Sequence, residues 1–237
     1  MTEFSGKNVL VLGGSRGIGA AMVRRFAKGG GTVAFTYAGS QDAAVALSGE
    51  TGAEAIRTDS ADRKALTATV ASRGAIDVLV ISAGTLVMGD PLTLDPDAVD
   101  RMIAINVNAP YHAAVEAARK MPDGGRIIAV GSVNGDVMPF PGGAAYALTK
   151  SAVQGMVRGL ARDFGPRGIT VNAIQPGPTD TDMNPAGGPM AELMHSFMAI
   201  KRHIRGDEIA EFAAYLAGPH AAMMTGAMHT IDGGMGA

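Results

Sequence analysis

Unbroken apolar runs of strand length alternate with helical stretches along the whole of this 237-residue chain. That alternation predicts an α/β fold, wound on both sides of a mainly parallel sheet through right-handed crossovers. Runs that do not alternate with polar residues belong to strands buried on both faces, the condition of a parallel sheet covered by helices. A glycine-rich turn joins the first run to an amphipathic stretch. With 47% apolar residues the chain can build one sizeable core, and a single domain over 1–237 is expected.

Seven runs read as strands: "NVLVLG" from Asn8, "TVAFTY" from Thr32, "AEAIRTD" from Ala53, "IDVLVISAG" from Ile76, "GRIIAVGS" from Gly125, "ITVNAIQPG" from Ile169 and "AMHTIDGG" from Ala227. Helical patterns lie between them, from Ala20 to Lys28, Ser60 to Ser72, Asp95 to Met121, Gly143 to Gly165 and Asp207 to Leu216. No repeat or linker interrupts the series. The stretch from Pro178 to Ile200 fits neither period, and its Pro, Gly and Met content reads as a substrate lid. Met183, Met190, Met194 and Met198 recur in it near helical spacing, as residues that pack the lid.

Composition removes several function classes. A net charge of −2 with dispersed Lys and Arg gives no basic face for duplex nucleic acid or an anionic membrane. The absence of cysteine excludes disulfides, thiol nucleophiles and thiolate metal sites. No run approaches the roughly 18 to 20 apolar residues that span a bilayer. The opening "MTEFSGKNVL" lacks the charged-then-apolar order of a signal peptide, so a cytoplasmic protein is expected.

The turn after the first strand, "LGGSRGIGA", places Gly13, Gly14, Gly17 and Gly19 between strand and helix. Bare backbone there lets N–H groups and the helix dipole receive a pyrophosphate; the plainer alternative is a tight turn. The spacing Gly13-x3-Gly17-x-Gly19 differs from the ordinary G-x-G-x-x-G fingerprint, and no Gly-Lys-Ser/Thr of a P-loop follows. An NAD site usually offers a carboxylate after the second strand, where this chain has "TYAGS". Arg16 can instead meet a 2′-phosphate, which favours NADP over NAD; otherwise it is a solvated arginine.

Further on, "GSVNGDVMPFPGGAAYALTKSAV" carries Ser132, Tyr146 and Lys150. Tyr146 and Lys150 are four apart in a helical stretch and share a face. An ammonium and a cationic nicotinamide both favour the phenolate and so suit this tyrosine to acid-base work. A Tyr-x3-Lys pair alone fits a surface helix equally well; beside the glycine loop it points to a site.

Together, "GGSRGIG", Asp59 in "TDSAD", "SAG" at Ser82 to Gly84, Asn106 in "MIAINVNAPY", Ser132, "YALTK", "GITVNAIQPGPTDTDM" and "TGAMHTIDGG" carry a resemblance. Over nearly its whole length the chain is similar to the short-chain dehydrogenase/reductase family. The resemblance implies a Rossmann-type doubly wound, mainly parallel seven-stranded sheet with helices on both faces. It also implies an NADP(H)-dependent oxidoreductase that reduces a carbonyl or oxidises a secondary alcohol. By it, Tyr146 is the general acid in reduction and the base in oxidation, and Ser132 hydrogen-bonds the substrate oxygen. Lys150 holds the nicotinamide ribose, and Asn106 anchors a water in the proton relay. The cofactor would lie on Gly13, Ser15, Arg16, Gly17, Ile18 and Gly19 of the loop and reach Tyr37. Asp59 would take the adenine amine beside Ser60, and Ala83 and Gly84 would line the cofactor. Pro176, Gly177, Thr179 and Thr181 would meet the carboxamide and phosphates, with Tyr146 and Lys150 at the ribose. Hydride passes directly to substrate, so no metal is required.

The chain departs from the family pattern at Leu12, where Thr is common, and at Ile81 and Ser82, where Asn-Asn is common. Each departure removes side-chain hydrogen bonds around the cofactor, and weaker cofactor affinity is expected. Substrate choice is expected from the lid and from the residues around Asn134, Asp136 and Met138. The five histidines are scattered and read as non-catalytic.

"FTYAGS", "TDSADR", "GSVNGDVMP" and "DFGPRGIT" further resemble family members described as binding cyclic di-GMP and regulating biofilm dispersal. A cyclic di-GMP-binding regulator on the same scaffold is therefore the second reading, although no arginine cluster marks such a site. A homodimer or homotetramer is expected through helix faces carrying Ala113, Ala114, Ala117, Ala118, Ala152 and Gly159.

Overall fold

The computed structural model describes residues 2–237. In β1 (Asn8–Leu12), Val9 and Val11 enter one half of the core and Leu10 and Leu12 the other, all four almost fully buried. A strand apolar on both faces is covered by helices above and below. It pairs in parallel with β2 (Thr32–Tyr37) on one side and β4 (Val78–Ile81) on the other. The sheet continues through β3 (Glu54–Arg57) beyond β2, and through β5 (Arg126–Val130), β6 (Thr170–Pro176) and β7 (Met228–Ile231) beyond β4. The seven strands stand in the order β3-β2-β1-β4-β5-β6-β7, and every pairing is parallel.

One face is covered by α1 (Gly17–Lys28), α2 (Gln41–Thr51) and α8 (Gly206–Ala217), whose Met22, Phe26, Leu47 and Ile209 are buried with Val9, Val11 and Phe35. The other is covered by α3 (Arg63–Ser72), α5 (Ala109–Lys120) and α6 (Ala144–Phe164), whose Leu66, Ala113 and Val157 meet Leu10 and Leu12. Burying each large side chain of this kind contributes about 1.5–3 kcal/mol. Leu12 is the register partner of Ile81, and both lie in this second half of the core.

The structure alters three expectations. The stretch 41–51 is a helix with only Ala44 and Leu47 buried, too thin an apolar stripe to read as a period. The expected helix from Asp95 to Met121 is instead α4 (Pro96–Ile103), a π turn over Ala104–Asn108, and α5. Pro110 has no N–H to give the Asn106 carbonyl, and Ala109 N–H reaches back five residues to Ala104. Third, Ala113, Ala114, Ala117 and Ala118 are at most 4% exposed inside the chain's own core, so they form no face between subunits.

The stretch 178–200 contains the short α7 (Ala191–Ser196) and bridges Thr179 to Ile204 and Thr181 to Asn184. No helix among the described residues is long and apolar enough to cross a membrane.

Candidate active site

Strand order reverses at β1, with β2 on one edge and β4 on the other, and such a switch point opens a crevice at the carboxyl ends of the strands. The glycine loop lies there. Gly13 has φ +74°, and a Cβ on it would stand 2.6 Å from the Ala83 Cα. A Cβ on Gly19 would stand 2.1 Å from the Gly13 carbonyl oxygen. Glycine at these positions therefore lets the first turn of α1 close onto β1 and the loop after β4. Arg16 is the N-cap of α1, and no side chain caps the first-turn amides of Gly17, Ile18 and Gly19.

Leu12 puts its side chain into the core, where it supplies no hydrogen bond to the loop. Thr36 of β2 supplies one instead. Its buried hydroxyl accepts from Gly13 N–H at 3.0 Å and its carbonyl from Gly14 N–H at 2.9 Å. The loop is thus tied from β2, while Leu12 itself gives it no side-chain hydrogen bond, as the sequence implies.

Ser132, Tyr146, Lys150 and Asn106 come together beside the loop after β4. Lys150 Nζ lies 5.7 Å from the centre of the Tyr146 ring and donates to the Val130 carbonyl at 3.1 Å. A Cβ on Gly84 would stand 3.6 Å from Asn106 Oδ1 and 3.8 Å from Lys150 Nζ. Asn106, buried in the π turn, accepts from Thr85 N–H at 2.9 Å. Its amide donates to the Thr85 carbonyl and to Thr149 Oγ1. Thr149 in turn donates to the Tyr146 carbonyl at 2.8 Å, so one network joins the π turn to the start of α6.

Ser132 ends β5 and caps the short turn Val133–Gly135. Its Oγ accepts from Asn134 N–H at 3.1 Å and donates to Asn134 Oδ1 at 3.5 Å, a long bond that the hydroxyl can exchange for a substrate oxygen. Gly135 sits directly on α6: a Cβ there would be 3.1 Å from Lys150 backbone, and Ser151 Oγ donates to its carbonyl at 2.7 Å. Asp136 lies in the stretch whose residues were expected to set substrate choice. Its carboxylate instead accepts from Gln154 Nε2 of α6 at 2.7 Å and from Gln175 Nε2 of β6, which fastens the Ser132 turn to both elements.

Arg16 Nη1 contacts Asp182 Oδ2, and Arg101 Nη2 contacts Asp59 Oδ2 at 2.8 Å. The hydrogen bond from Arg101 holds the Asp59 carboxyl below the usual carboxylate range. Asp59 also accepts from Ala61 N–H, bending the chain through Ser60, and the preceding Thr58 N–H donates to the Tyr37 carbonyl. On the other side, Gly177 N–H after Pro176 donates to the Ile231 carbonyl, and Thr179 Oγ1 donates to the Gly177 carbonyl at 3.0 Å. Thr181 stands over the glycine loop, its Cγ2 3.1 Å from a Cβ built on Gly17. Ser15 lies in the loop before Arg16.

These residues fit a dinucleotide with a ribose-linked nicotinamide. Uncapped amides of α1 suit the pyrophosphate. Lys150 is only 7% exposed, and its ammonium uses one carbonyl acceptor, with donors left for ribose hydroxyls. Asp182, Arg101, Gln154 and Gln175 were not singled out by sequence, and Thr36 was read only as a residue at the end of the second strand, not as a tie of the glycine loop. Each reaches its partner through the fold, Arg16 and Asp182 across 166 positions, and no spacing signals such pairs.

This architecture and constellation define a dinucleotide-dependent oxidoreductase of the Rossmann type. The chain belongs to the short-chain dehydrogenase/reductase family: residues 13–236 match a family model described as enoyl-(acyl carrier protein) reductase. It is 63% identical to the cyclic-di-GMP-binding biofilm dispersal mediator protein of Escherichia coli K12, over all of both chains. It is 35% identical to the 3-oxoacyl-[acyl-carrier-protein] reductase MabA of Mycobacterium bovis, over 98% of this chain and 94% of that protein. A crystal structure of BdcA in complex with NADPH superposes with a TM-score of 0.98 at 63% identity, covering 99% and 96% of the two chains.

Proposed function

We propose that the protein reduces a carbonyl with NADPH, or oxidises the matching secondary alcohol with NADP⁺, with Tyr146 as acid or base. The observation that carries this is the buried Lys150 beside the Tyr146 ring, with the Tyr146 carbonyl joined through Thr149 to Asn106 and with Gly84 lying next to Asn106 Oδ1 and Lys150 Nζ. The bound nicotinamide supplies a hydride to the carbonyl carbon. Tyr146 gives its hydroxyl proton to the carbonyl oxygen, so that a C–H and an O–H bond replace the C=O π bond. Ser132, its own oxygen held by Asn134 N–H, donates a second hydrogen bond to the developing oxyanion. Lys150 stabilises the resulting phenolate and orients the ribose, and Asn106 holds the water through which the proton returns.

NADP is preferred because β2 ends at Tyr37 without a carboxylate and Arg16 can meet a 2′-phosphate. The relative crystallised with NADPH supports the same choice. The remaining cofactor contacts are assigned to Gly13, Ser15, Gly17, Ile18, Gly19, Asp59, Ser60, Ala83, Pro176, Gly177, Thr179 and Thr181. The test is NADPH oxidation against a panel of ketones. Turnover should be lost in Tyr146→Phe, and a wild type inert on the whole panel would sink the reading.

Binding of cyclic di-GMP is the second reading, favoured by the 63% identity to a cyclic-di-GMP-binding relative. It would use the same cleft, so calorimetry should show binding that NADPH competes away; affinity no better than millimolar would remove it. A homodimer or homotetramer would use what α5 and α6 leave exposed, including Tyr111 and Leu148, and light scattering would measure it.

A further inference from the structure

Three loops form the mouth of the cleft beyond Ser132 and Tyr146: residues 82–94 after β4, 131–143 after β5 and 177–200 after β6. They meet one another directly. Gly89 N–H donates to the Gly142 carbonyl at 3.0 Å, and the Phe140 and Phe197 rings approach to 6.4 Å between centroids. Their sequences contain no lysine or arginine and five carboxylates; Asp136 is turned into α6 and β6 and Asp182 is paired with Arg16, which leaves Asp90, Asp180 and Glu192 to set the charge of the mouth. Six of the chain's 15 methionines are in them, and Met88, Met183, Met190 and Leu193 stand between 38% and 55% exposed.

Beyond Lys150, which the cofactor ribose would occupy, the cations that contact these loops or directly follow them in sequence are already engaged. Arg16 pairs with Asp182, and Lys201 spreads its ammonium over the His195, Ser196 and Met198 carbonyls at the end of α7. Arg202 pairs with Glu208, and Arg205 with Asp207. A substrate carried on coenzyme A or acyl carrier protein brings its acyl group on a phosphorylated pantetheine arm, and that arm would pass acidic, methionine-lined lips with no free cation to receive it. Like charge brought together in this way is strongly unfavourable. A methionine-rich wall, in contrast, adapts to apolar shapes.

We propose that the substrate is a free, uncharged, apolar carbonyl compound and not a thioester on an anionic carrier. This rests on the carbonyl-reductase reading. The test compares three probes with NADPH: acetoacetyl-coenzyme A, the N-acetylcysteamine thioester of acetoacetate, and 1-phenyl-1,2-propanedione. The two thioesters present the same reacting ketone and differ in the anionic handle. The uncharged probes should exceed the coenzyme A ester in kcat/KM by about tenfold or more. Reduction of the dione with both thioesters inert would also support the proposal. The gap between the thioesters should narrow as ionic strength rises from about 0.01 M to about 0.15 M, where the screening length falls from about 30 to about 8 Å. A coenzyme A ester turned over as well as the uncharged probes, or a gap that salt leaves unchanged, would overturn the proposal. Failure of all three probes and of the wider ketone panel would remove the reductase reading itself, and the proposal with it.

Discussion

Arg16 Nη1 and Asp182 Oδ2 stand 3.2 Å apart, one from the glycine loop and the other from the segment after β6. The pair is more than half exposed on both sides, so it contributes little stability, about 0–1 kcal/mol at most. The carboxylate nevertheless competes for the cation that a 2′-phosphate would need. Arg16→Ala should weaken NADPH by roughly tenfold to a hundredfold, the size of a hydrogen bond to a charged group, and leave NADH nearly unchanged. Asp182→Asn should strengthen NADPH by no more than about fivefold. Fluorescence titration of both cofactors reads these values, and equal losses for NADPH and NADH in Arg16→Ala would remove the role given to Arg16.

Tyr146→Phe keeps the ring beside Lys150 and deletes only the proton. Turnover should fall by about a hundredfold to ten-thousandfold, the usual worth of a positioned acid or base. NADPH binding by titration should stay within a few-fold of wild type. A variant that still turns over at the wild-type rate would exclude Tyr146 as the acid.

Thr36→Val conserves shape and strands the Gly13 N–H that the hydroxyl receives at 3.0 Å. Leaving that donor unpaired costs about 1–3 kcal/mol. Chemical denaturation should register the loss, with weaker NADPH binding alongside it. Unchanged stability would show that another group ties the loop.

Two glycine-to-alanine changes should move in opposite directions. At Gly19 the new methyl would stand 2.1 Å from the Gly13 oxygen, and cofactor binding should be abolished or the chain destabilised. Gly49, exposed within α2, has nothing within 4 Å of a built Cβ. Alanine there should raise stability by roughly 0.5–1 kcal/mol through helix propensity, visible as a higher Tm.

His195 Nε2 and His203 Nδ1 share a hydrogen bond of 2.7 Å between α7 and the segment leading to α8. Burial, and then the neighbouring His195, push the His203 imidazole below its ordinary value, against the opposing pull of Asp180. The unfolded chain therefore takes up the proton first as pH falls below about 6.5. Stability should hold above that pH and decline beneath it. His229, also lowered by burial, acts in the same direction, so the informative quantity is the difference between wild type and His203→Gln. The variant should show a shallower decline in thermal scans from pH 7.5 to pH 5; identical slopes would assign the effect elsewhere.

The sheet was legible because β1, β4, β5 and β6 are buried on both faces, and continuous apolar runs carry that information locally. Ser132, Tyr146, Lys150 and Asn106 were legible as motifs; the structure joins Asn106 through Thr149 to the Tyr146 carbonyl and sets Lys150 beside the Tyr146 ring. What escaped depends on three dimensions. The period of α2 rests on two buried residues, and the break at Ala104–Asn108 comes from a proline that the pattern of apolar residues does not register. Asp136 could be placed near substrate by its position after Ser132. Only the approach of Gln154 and Gln175 shows that its carboxylate turns toward α6 and β6.

Leu12 and Ile81 remain as cross-strand partners inside the same apolar layer, with the loop above them held from β2. Restoring threonine at the first position alone would bury a hydroxyl against isoleucine. Restoring asparagine at the second alone would bury an amide against leucine, and each costs about 1–3 kcal/mol without a partner. The two positions are thus coupled: Leu12→Thr and Ile81→Asn made together should cost less than the sum of the two single changes.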